Sequence, residues 1–415
     1  MADMEQRSAR PSPRIPLPDG VVEVTGITPG EASSVVERQD GALMLFGGTS
    51  YRVSKDGGLT WDEKQTIDLG DTGRAQGLSC TRLRSGRLAL AYRDGSDQFQ
   101  VVYSDDEGQT WKERSPMNLL GNPYYDVLTE LESGRLIIPS RTCFSNRNHP
   151  GLEYREASSW GLWKGLPLQV SGHYHYPEID IASVSYSDDG RSWQRCTGEI
   201  FGWFDAEGVP NGKGGVTACD EPSVAETADG RVLFLARSTV GRLVACHSGD
   251  GGETWSAVQP TELASSYSPP RLRRIPKTGD LLCIWNQVSR EEIRRGYRRG
   301  RLSCAISKDG GYSWENFKTI EVSAGIEDVS RIPLEYPTTP VIALAKVGVL
   351  PDDFMTFDYA NACFAGDRAF LMYGRGWVEP APERGEARSL GEHRDPTAKS
   401  HESVLRIYPI EWFYD

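Results

Sequence analysis

Short apolar runs recur along the chain, and each of them follows a glycine in a polar turn. GRLALAY, which starts at Gly86, and GRVLFLA, which starts at Gly230, are two examples. Short apolar runs bounded by turn residues predict buried β-strands. The six glycines that open such runs are Gly41, Gly86, Gly134, Gly230, Gly279 and Gly366.

Five of these units also contain one turn motif. It combines a serine, an aspartate, at least one glycine, a hydroxyl residue and a tryptophan. The aspartate accepts hydrogen bonds from backbone N–H groups and glycine supplies positive φ, so the motif predicts a tight turn with an apolar anchor. Five copies indicate a repeat architecture. The copies span Ser54–Trp61, Ser104–Trp111, Ser187–Trp193, Ser248–Trp255 and Ser307–Trp314.

Each repeat predicts strand, tight turn, strand, aspartate turn and strand, which is a small antiparallel sheet. Six such sheets in a ring form an all-β, six-bladed β-propeller with four-stranded blades, and ring closure protects the sheet edges. We predict a flexible tail over residues 1–20 and one propeller domain over residues 21–415. A C-terminal strand within Ser403–Phe413 should close the ring by pairing near Val21–Thr25.

Composition limits the partners and the location of the protein. The net charge of −12 argues against a nucleic-acid partner. No run of 18 apolar residues exists to span a membrane, and the polar, proline-rich N-terminus does not have the pattern of a secretory signal. The eight cysteines form no C-x-x-C pair, which favours free thiols in a reducing compartment. We therefore predict a cytoplasmic protein without cofactor, nucleic-acid partner or membrane partner.

Arginine recurs at one position of the repeat. Seven residues after the opening glycine, three consecutive blades carry Arg93, Arg141 and Arg237. Equivalent positions converge in a ring, so three guanidinium groups in one volume predict an anionic ligand. The alternative is that each arginine pairs with a neighbouring carboxylate such as Asp94.

The starts of the predicted inner strands carry further polar residues. Glu31, Tyr125 and Glu221 stand at equivalent places, and Tyr359 stands near the start of the last inner strand. A tyrosine beside a glutamate that accepts its proton is an activated nucleophile. The alternative is a core tyrosine that donates a hydrogen bond to any acceptor.

These segments resemble the sialidase superfamily over nearly the whole chain. The five turn motifs resemble its Asp boxes, which lie on the outer rim away from the substrate. DEPSVAETADGRVLFLARS resembles the segment with a general-base glutamate and a carboxylate-binding arginine, which implies these roles for Glu221 and Arg237. DYANACFAGDRAFLMY is similar to the segment of the nucleophilic tyrosine, here Tyr359. RRGRLSCAISKDGG resembles the segment with another arginine of the clamp, which implies Arg299, with Arg301 as the rival.

The sequence departs from the family in the first blade. Glu31-Ala-Ser stands where sialidases place Arg-Ile-Pro, and the turn at Gly47–Ser50 is too short for the family's catalytic aspartate. We therefore choose Asp94 as the general acid, over Asp97 and Asp126, because it adjoins Arg93 at the channel mouth. We expect little activity on simple aryl sialosides, since Glu31 repels a carboxylate or receives a sugar hydroxyl.

The third blade carries a long insertion from about residue 146 to residue 186. Its aromatic residues and its histidines His173 and His175 are typical of a sugar-stacking lid. The two histidines alternate as metal ligands would, but no second cluster completes a site, so we predict no metal. The predicted substrate-binding residues are Arg93, Arg141, Arg237, Arg299, Glu31, Tyr125, Asp126, His173 and His175.

Three functions fit these residues. The leading hypothesis is an exo-acting glycoside hydrolase that releases a terminal anionic sugar from an acidic oligosaccharide, with Tyr359 as nucleophile, Glu221 as its proton acceptor and Asp94 as acid. A second is a lyase that acts by β-elimination on a uronate-containing glycan, with a tyrosine or histidine as base. A third is a carbohydrate-binding propeller without catalysis.

Overall fold

The computed structural model describes residues 14–27, 34–70, 76–96, 98–123, 128–145, 152–155, 160–163, 166–169, 178–204, 215–217, 219–238, 240–266, 268–295, 297–333, 351, 353–378 and 399–415. Six four-stranded antiparallel sheets form the blades of a β-propeller, which confirms the predicted fold. The first strands of neighbouring blades are adjacent, so they line the centre of the ring.

The strands follow the repeat in chain order. The chain enters through β1 (Val22–Val24), which belongs to the last blade. Blade one contains β2 (Ser34–Glu37), β3 (Leu43–Gly47), β4 (Ser50–Ser54) and β5 (Gln65–Thr66). Blade two contains β6 (Gln76–Arg82), β7 (Leu88–Arg93), β8 (Phe99–Ser104) and β9 (Lys112–Pro116).

Blade three contains the predicted insertion between its second and third strands. Its four strands are β10 (Thr129–Glu130), β11 (Leu136–Ser145), β15 (Glu178–Ser187) and β16 (Gln194–Arg195). Between β11 and β15 lies a separate three-stranded sheet of β12 (Leu152–Arg155), β13 (Trp160–Trp163) and β14 (Leu166–Gln169). A two-stranded sheet of β17 (Gly202–Phe204) and β18 (Gly215–Thr217) precedes blade four.

The last three blades complete the ring. Blade four contains β19 (Asp220–Glu226), β20 (Val232–Arg237), β21 (Arg242–Ser248) and β22 (Gln259–Ala264). Blade five contains β23 (Arg271–Arg274), β24 (Leu281–Trp285), the short helix α1 (Arg290–Arg294), β25 (Arg301–Ser307) and β26 (Glu315–Val322). Blade six contains β27 (Met355–Ala365), β28 (Arg368–Val378), β29 (Lys399–Pro409) and β1, and a 3-10 helix follows at Ile410–Phe413.

The repeated glycine closes the hairpin between the first two strands of each blade. In blade two, Gly86 has φ +86° and its N–H donates to the carbonyl oxygen of Leu83 at 2.8 Å. All six glycines of the register have positive φ, a conformation that a side chain disfavours. The glycine therefore fixes the register between the first and second strands of each blade. The second strand is buried between neighbouring blades.

The Asp boxes form the predicted tight turns, in which side chains of the motif hydrogen-bond to its own backbone N–H groups. In the second copy, Ser104 Oγ donates to Asp106 Oδ1 and accepts from the N–H of Gly108, both at 2.8 Å. Asp106 also accepts from the backbone N–H and hydroxyl of Thr110 at 2.8 and 2.6 Å. The hydroxyl bond from Thr110 is the largest contribution that lowers the pKa of Asp106 to about 2. Each box connects the third and fourth strands of its blade, at the end opposite to the start of the inner strand.

Serine side chains connect the inner strands of neighbouring blades. Ser34 Oγ accepts from the N–H of Cys80 at 2.9 Å, and Ser223 Oγ accepts from the N–H of Leu272 at 3.0 Å. Ser79 Oγ accepts in the same way from the N–H of Leu128 at 3.1 Å. A buried hydroxyl thus satisfies a backbone donor that a neighbouring strand does not reach.

The ring closes where the two ends of the chain meet, as predicted. β1 pairs antiparallel with β29, with Val22 opposite Ile407 and Val24 opposite Leu405. Beside this pairing, an ionic cluster with buried arginines joins β26 of blade five to blade six. We call it the closure cluster; its members are Glu23, Glu321, Arg375, Glu402 and Arg406.

Three further features of the described residues concern the cysteines, the helices and the N-terminal segment. Seven cysteines of the described part of the chain are free, and six of them are buried. No helix among the described residues is long and apolar enough to cross a membrane. Arg14 donates to the carbonyl oxygens of Ser323 and Ile326 at 2.8 and 2.7 Å, so contacts with the propeller begin before the predicted boundary at residue 21.

Candidate functional site

Tyr359 and Glu221 meet across the channel. Tyr359 lies in β27 of blade six and Glu221 in β19 of blade four, and the phenol oxygen donates to Glu221 Oε1 at 3.0 Å. The tyrosine is partly exposed, whereas the side chain of Glu221 is only 2% exposed. The phenol therefore faces the channel and the carboxylate lies behind it.

Both residues occupy irregular backbone at equivalent places. The pairing of β19 with β20 shifts between Asp220 and Ser223, and that of β27 with β28 shifts between Asp358 and Asn361. Glu221 has φ +43° and Tyr359 has φ +50°, in a region that non-glycine residues rarely adopt. Each such residue costs about 1–3 kcal/mol, and these conformations cluster at functional sites. The two bulges therefore lie at the two residues that share this hydrogen bond.

The environment of Tyr359 favours the protonated phenol. Burial and the negative charge of Glu221 raise its pKa well above the usual range, although Arg299 and Arg237 oppose the shift. The guanidinium of Arg299 lies 5.2 Å from the centre of the Tyr359 ring. The resting pair is therefore a neutral phenol that donates to a carboxylate, which is the arrangement a proton transfer requires.

Three of the predicted clamp arginines contact carboxylates, and two of them share Asp220. Arg237 Nε donates to Asp220 Oδ2 at 2.7 Å, Nη2 contacts the same oxygen, and Nη1 lies 2.9 Å from Glu221 Oε2. Arg141 contacts Asp220 Oδ1 at 2.7 Å and Asp180 Oδ1 at 3.3 Å. Arg141 and Arg237 therefore pair with carboxylates, which was the alternative from the sequence. Their partners are Asp220 and Asp180, and not Asp94.

Arg299 lies beside the nucleophile candidate. Its Nη1 donates to Asp358 Oδ1 at 2.5 Å, and its side chain is 11% exposed. Arg301, the rival in the sequence, is fully buried and contacts Glu292 of α1 at 2.8 Å. The segment over residues 290–301, which is rich in arginine, therefore contains a short capped helix whose glutamate contacts Arg301. Arg299 is left beside Tyr359.

Asp94 occupies a turn that follows β7 in blade two. It accepts from the hydroxyl of Ser96 at 2.7 Å and from the side chain of Gln100 at 3.0 Å. Its pKa is about 2, lowered first by the Ser96 hydroxyl and further by backbone and Gln100 hydrogen bonds. The turn holds Asp94 as a carboxylate, which does not favour the predicted role of general acid. Arg93, the last residue of β7, is half-buried at the same end of blade two.

The remaining predicted site residues lie outside the described residues. They are Glu31, Tyr125, Asp126, His173 and His175, together with the alternative acid Asp97. Within the described ranges, no group of three His, Cys, Asp or Glu side chains is arranged to hold a metal ion.

The sequence analysis missed the role of two aspartates. Asp220 and Asp358 each directly precede a candidate reacting residue. Asp220 contacts Arg237 of the next strand, and Asp358 contacts Arg299 of blade five. The signal was present, since an acidic residue stands at the same offset in DEPS and DYAN. Only the fold shows that their partners are Arg237 and Arg299.

Two models of repeat families match the chain. The family described as BNR repeat-like domain matches residues 127–359, more than half of the chain. The BNR/Asp-box repeat matches residues 102–113, which contain the whole second Asp box, Ser104–Trp111. No curated protein matches the chain.

Several solved structures are similar to the chain at low sequence identity. A protein of unknown function from Dyadobacter fermentans is 15% identical, over 94% of this chain and 100% of that chain, with a TM-score of 0.48. The intramolecular trans-sialidase of the leech is 13% identical, over 92% of this chain and 69% of that chain, with a TM-score of 0.48. An alpha-L-arabinofuranosidase from Fusarium graminearum is 13% identical, over 95% and 99%, with a TM-score of 0.44.

Proposed function

We propose that this chain, which belongs to the family of proteins with a BNR repeat-like domain, is a glycoside hydrolase whose nucleophile is Tyr359. The observation that carries the proposal is the hydrogen bond of 3.0 Å from the Tyr359 phenol to the buried Glu221 carboxylate. A phenol is a weak nucleophile while protonated, so it needs a base within hydrogen-bond reach. Glu221 is that base.

The proposed reaction has two displacement steps. In the first, the Tyr359 oxygen bonds to the anomeric carbon while Glu221 takes the phenol proton, and the bond to the leaving oxygen breaks as an acid protonates it. In the second, water attacks the anomeric carbon and the bond from that carbon to the Tyr359 oxygen breaks. The acid group takes back a proton from the water, and Glu221 returns its proton to the Tyr359 oxygen. The product keeps the anomeric configuration because two inversions occur.

The proposed substrate is an oligosaccharide with a terminal anionic sugar. A neutral phenol repels an anionic sugar less than an exposed carboxylate nucleophile does. Arg299, which contacts Asp358, and Arg93 are partly exposed and suit an anionic group, whereas Arg141 and Arg237 are buried. We therefore assign the binding of the anion to Arg299 and Arg93.

The proton donor for the leaving group is a separate part of the proposal. Asp94 stays a prediction, although its turn favours the ionised form, and Asp97 and Asp126 are the alternatives from the sequence. Turnover of an aryl glycoside with an acidic phenol leaving group needs little protonation. Loss of the true acid should therefore slow natural oligosaccharides far more than such an aryl glycoside, and the three Asp→Asn variants distinguish the candidates.

The test is a screen of acidic and neutral oligosaccharides and aryl glycosides, with products identified by mass. Tyr359→Phe and Glu221→Gln should abolish the turnover that the unmodified protein shows. Tyr312→Phe is the matched control, because Tyr312 is 62% exposed in the fifth Asp box at the opposite end of the blade. Full turnover by Tyr359→Phe would contradict the proposal.

The same screen distinguishes the alternatives. A lyase creates an unsaturated uronate that absorbs at about 235 nm, whereas a hydrolase adds water and creates no such absorbance. A binding propeller would retain glycans and release no product, and Tyr359→Phe would leave that binding intact.

A further inference from the structure

Glu221 uses its two oxygens for different partners. Oε1 accepts from the Tyr359 phenol at 3.0 Å, while Oε2 lies 2.9 Å from Arg237 Nη1. The other two nitrogens of Arg237 contact the same oxygen of Asp220. One guanidinium group is therefore held between the side chains of two consecutive acidic residues.

The contacts continue away from the channel as alternating charges. Asp220 Oδ1 contacts Arg141 at 2.7 Å, and Arg141 contacts Asp180. Asp220 and Arg237 are 0% and 1% exposed, so these charges are screened little by water. In such an environment, removal of one partner leaves its neighbour uncompensated and moves it.

We propose that Asp220 is a positioning residue that holds Arg237 on Glu221 Oε2 and so directs Oε1 to the Tyr359 phenol. This inference rests on the proposed function. Glu221 has positive φ at a bulge, so backbone pairing alone does not fix its side chain. The two contacts with one oxygen of Asp220 hold the Nε–Nη2 edge of the guanidinium, which leaves Nη1 directed at Glu221 Oε2. Asp220 supplies this anchor and touches neither the phenol nor the channel.

Asp220→Asn should misplace Glu221 while the nucleophile stays in position. An asparagine still accepts one hydrogen bond, but it lacks the charge that balances Arg237 and Arg141. Arg237 should then move toward Glu221, which lengthens or breaks the hydrogen bond to Tyr359. A misplacement of about 1 Å costs on the order of 100-fold in rate, so kcat should fall by about that factor. KM should stay unchanged, because Asp220 does not touch the substrate.

A spectroscopic measurement tests the geometry without substrate. The protein is labelled with 3-fluorotyrosine, and the resonance of residue 359 is assigned by its loss in Tyr359→Phe. Asp220→Asn should shift that ¹⁹F resonance, because the phenol hydrogen bond changes. Asp180→Asn is the matched control: it removes the same charge, but from a residue that contacts Arg141 at 3.3 Å, and it should leave the resonance in place. Asp220→Glu keeps the charge and should restore most of kcat.

A wild-type ¹⁹F resonance in folded Asp220→Asn would overturn the inference. If that variant does not fold, the double variant Asp220→Asn/Arg141→Met is measured instead, because it removes one charge of each sign. A shifted resonance of residue 359 then supports the inference, and a wild-type resonance overturns it. Equal shifts in Asp220→Asn and Asp180→Asn would also overturn it, because they would show a general effect of buried charge. Failure of the proposed function is distinguishable, since it appears as normal turnover by Tyr359→Phe whatever the resonance does.

Discussion

Replacing Glu23 by glutamine removes one carboxylate from the closure cluster. Glu23 contacts Arg375 at 3.1 Å and Arg406 at 2.9 Å, and its side chain is 21% exposed. Burial alone would raise its pKa, but these two arginines outweigh burial and lower the pKa from 4.5 to about 2. A pKa difference of this size corresponds to about 3 kcal/mol of stability when Glu23 is ionised.

The sign of the pH dependence follows from the lowered pKa. Its contribution to the free energy of unfolding is complete above pH 4.5 and is lost as the pH falls toward about 2. Glutamine does not ionise, so Glu23→Gln should lower the free energy of unfolding by about 3 kcal/mol at pH 7. The difference from the unmodified protein should shrink continuously below pH 4.5.

Urea unfolding at pH 7, 5, 4 and 3, followed by tryptophan fluorescence, measures this difference. The matched control is Glu63→Gln, because Glu63 is exposed, and it should change stability by less than about 0.5 kcal/mol at every pH. A Glu23→Gln variant as stable as the unmodified protein at pH 7 would refute the reasoning. So would a destabilisation that is the same at pH 3 and at pH 7.

Three further predictions concern the ring. Removal of residues 404–415 deletes most of the strand that pairs with the N-terminus, so thermal unfolding should lose its cooperativity; an unchanged sharp transition would contradict the closure. Gly77→Ala should cost about 3 kcal/mol or more, because the new Cβ would lie 1.8 Å from the Gly48 carbonyl oxygen. Gly249→Ala, with nothing within 4 Å, is its control in the same urea titration. Ser223→Ala should cost about 1–3 kcal/mol, since a buried backbone N–H of the next blade loses its acceptor, and an unchanged unfolding midpoint would argue against that role.

The fold was predictable from sequence because its signals are local. The glycine at each hairpin, the apolar strand after it and the Asp box are all contained within one repeat. Their regular recurrence predicted the blades and the pairing of the chain ends. Tyr359 and Glu221 were also accessible, since the repeat gives each a defined place at the start of an inner strand.

The partners of the arginines were not predictable in the same way. The register placed Arg141 and Arg237 at one height, and the structure shows that they share Asp220. Arg141 and Asp220 belong to different blades, so no spacing within a repeat relates them. The closure cluster was missed for the same reason, because Glu321 and Arg375 come from neighbouring blades. Ion pairs between blades depend on how the blades pack, and the pattern within one repeat does not determine that packing.

Covalent trapping tests the central claim most directly. An aryl glycoside that the unmodified protein turns over is prepared with fluorine next to the anomeric carbon, which slows release of the sugar from the nucleophile. The protein is then digested, and the peptides are analysed by mass. The peptide with Tyr359 should carry the mass of one fluorinated sugar bound through the phenol oxygen, and Tyr359→Phe should carry none. A sugar attached to another residue, or an equal amount of label on Tyr359→Phe, would contradict Tyr359 as the nucleophile.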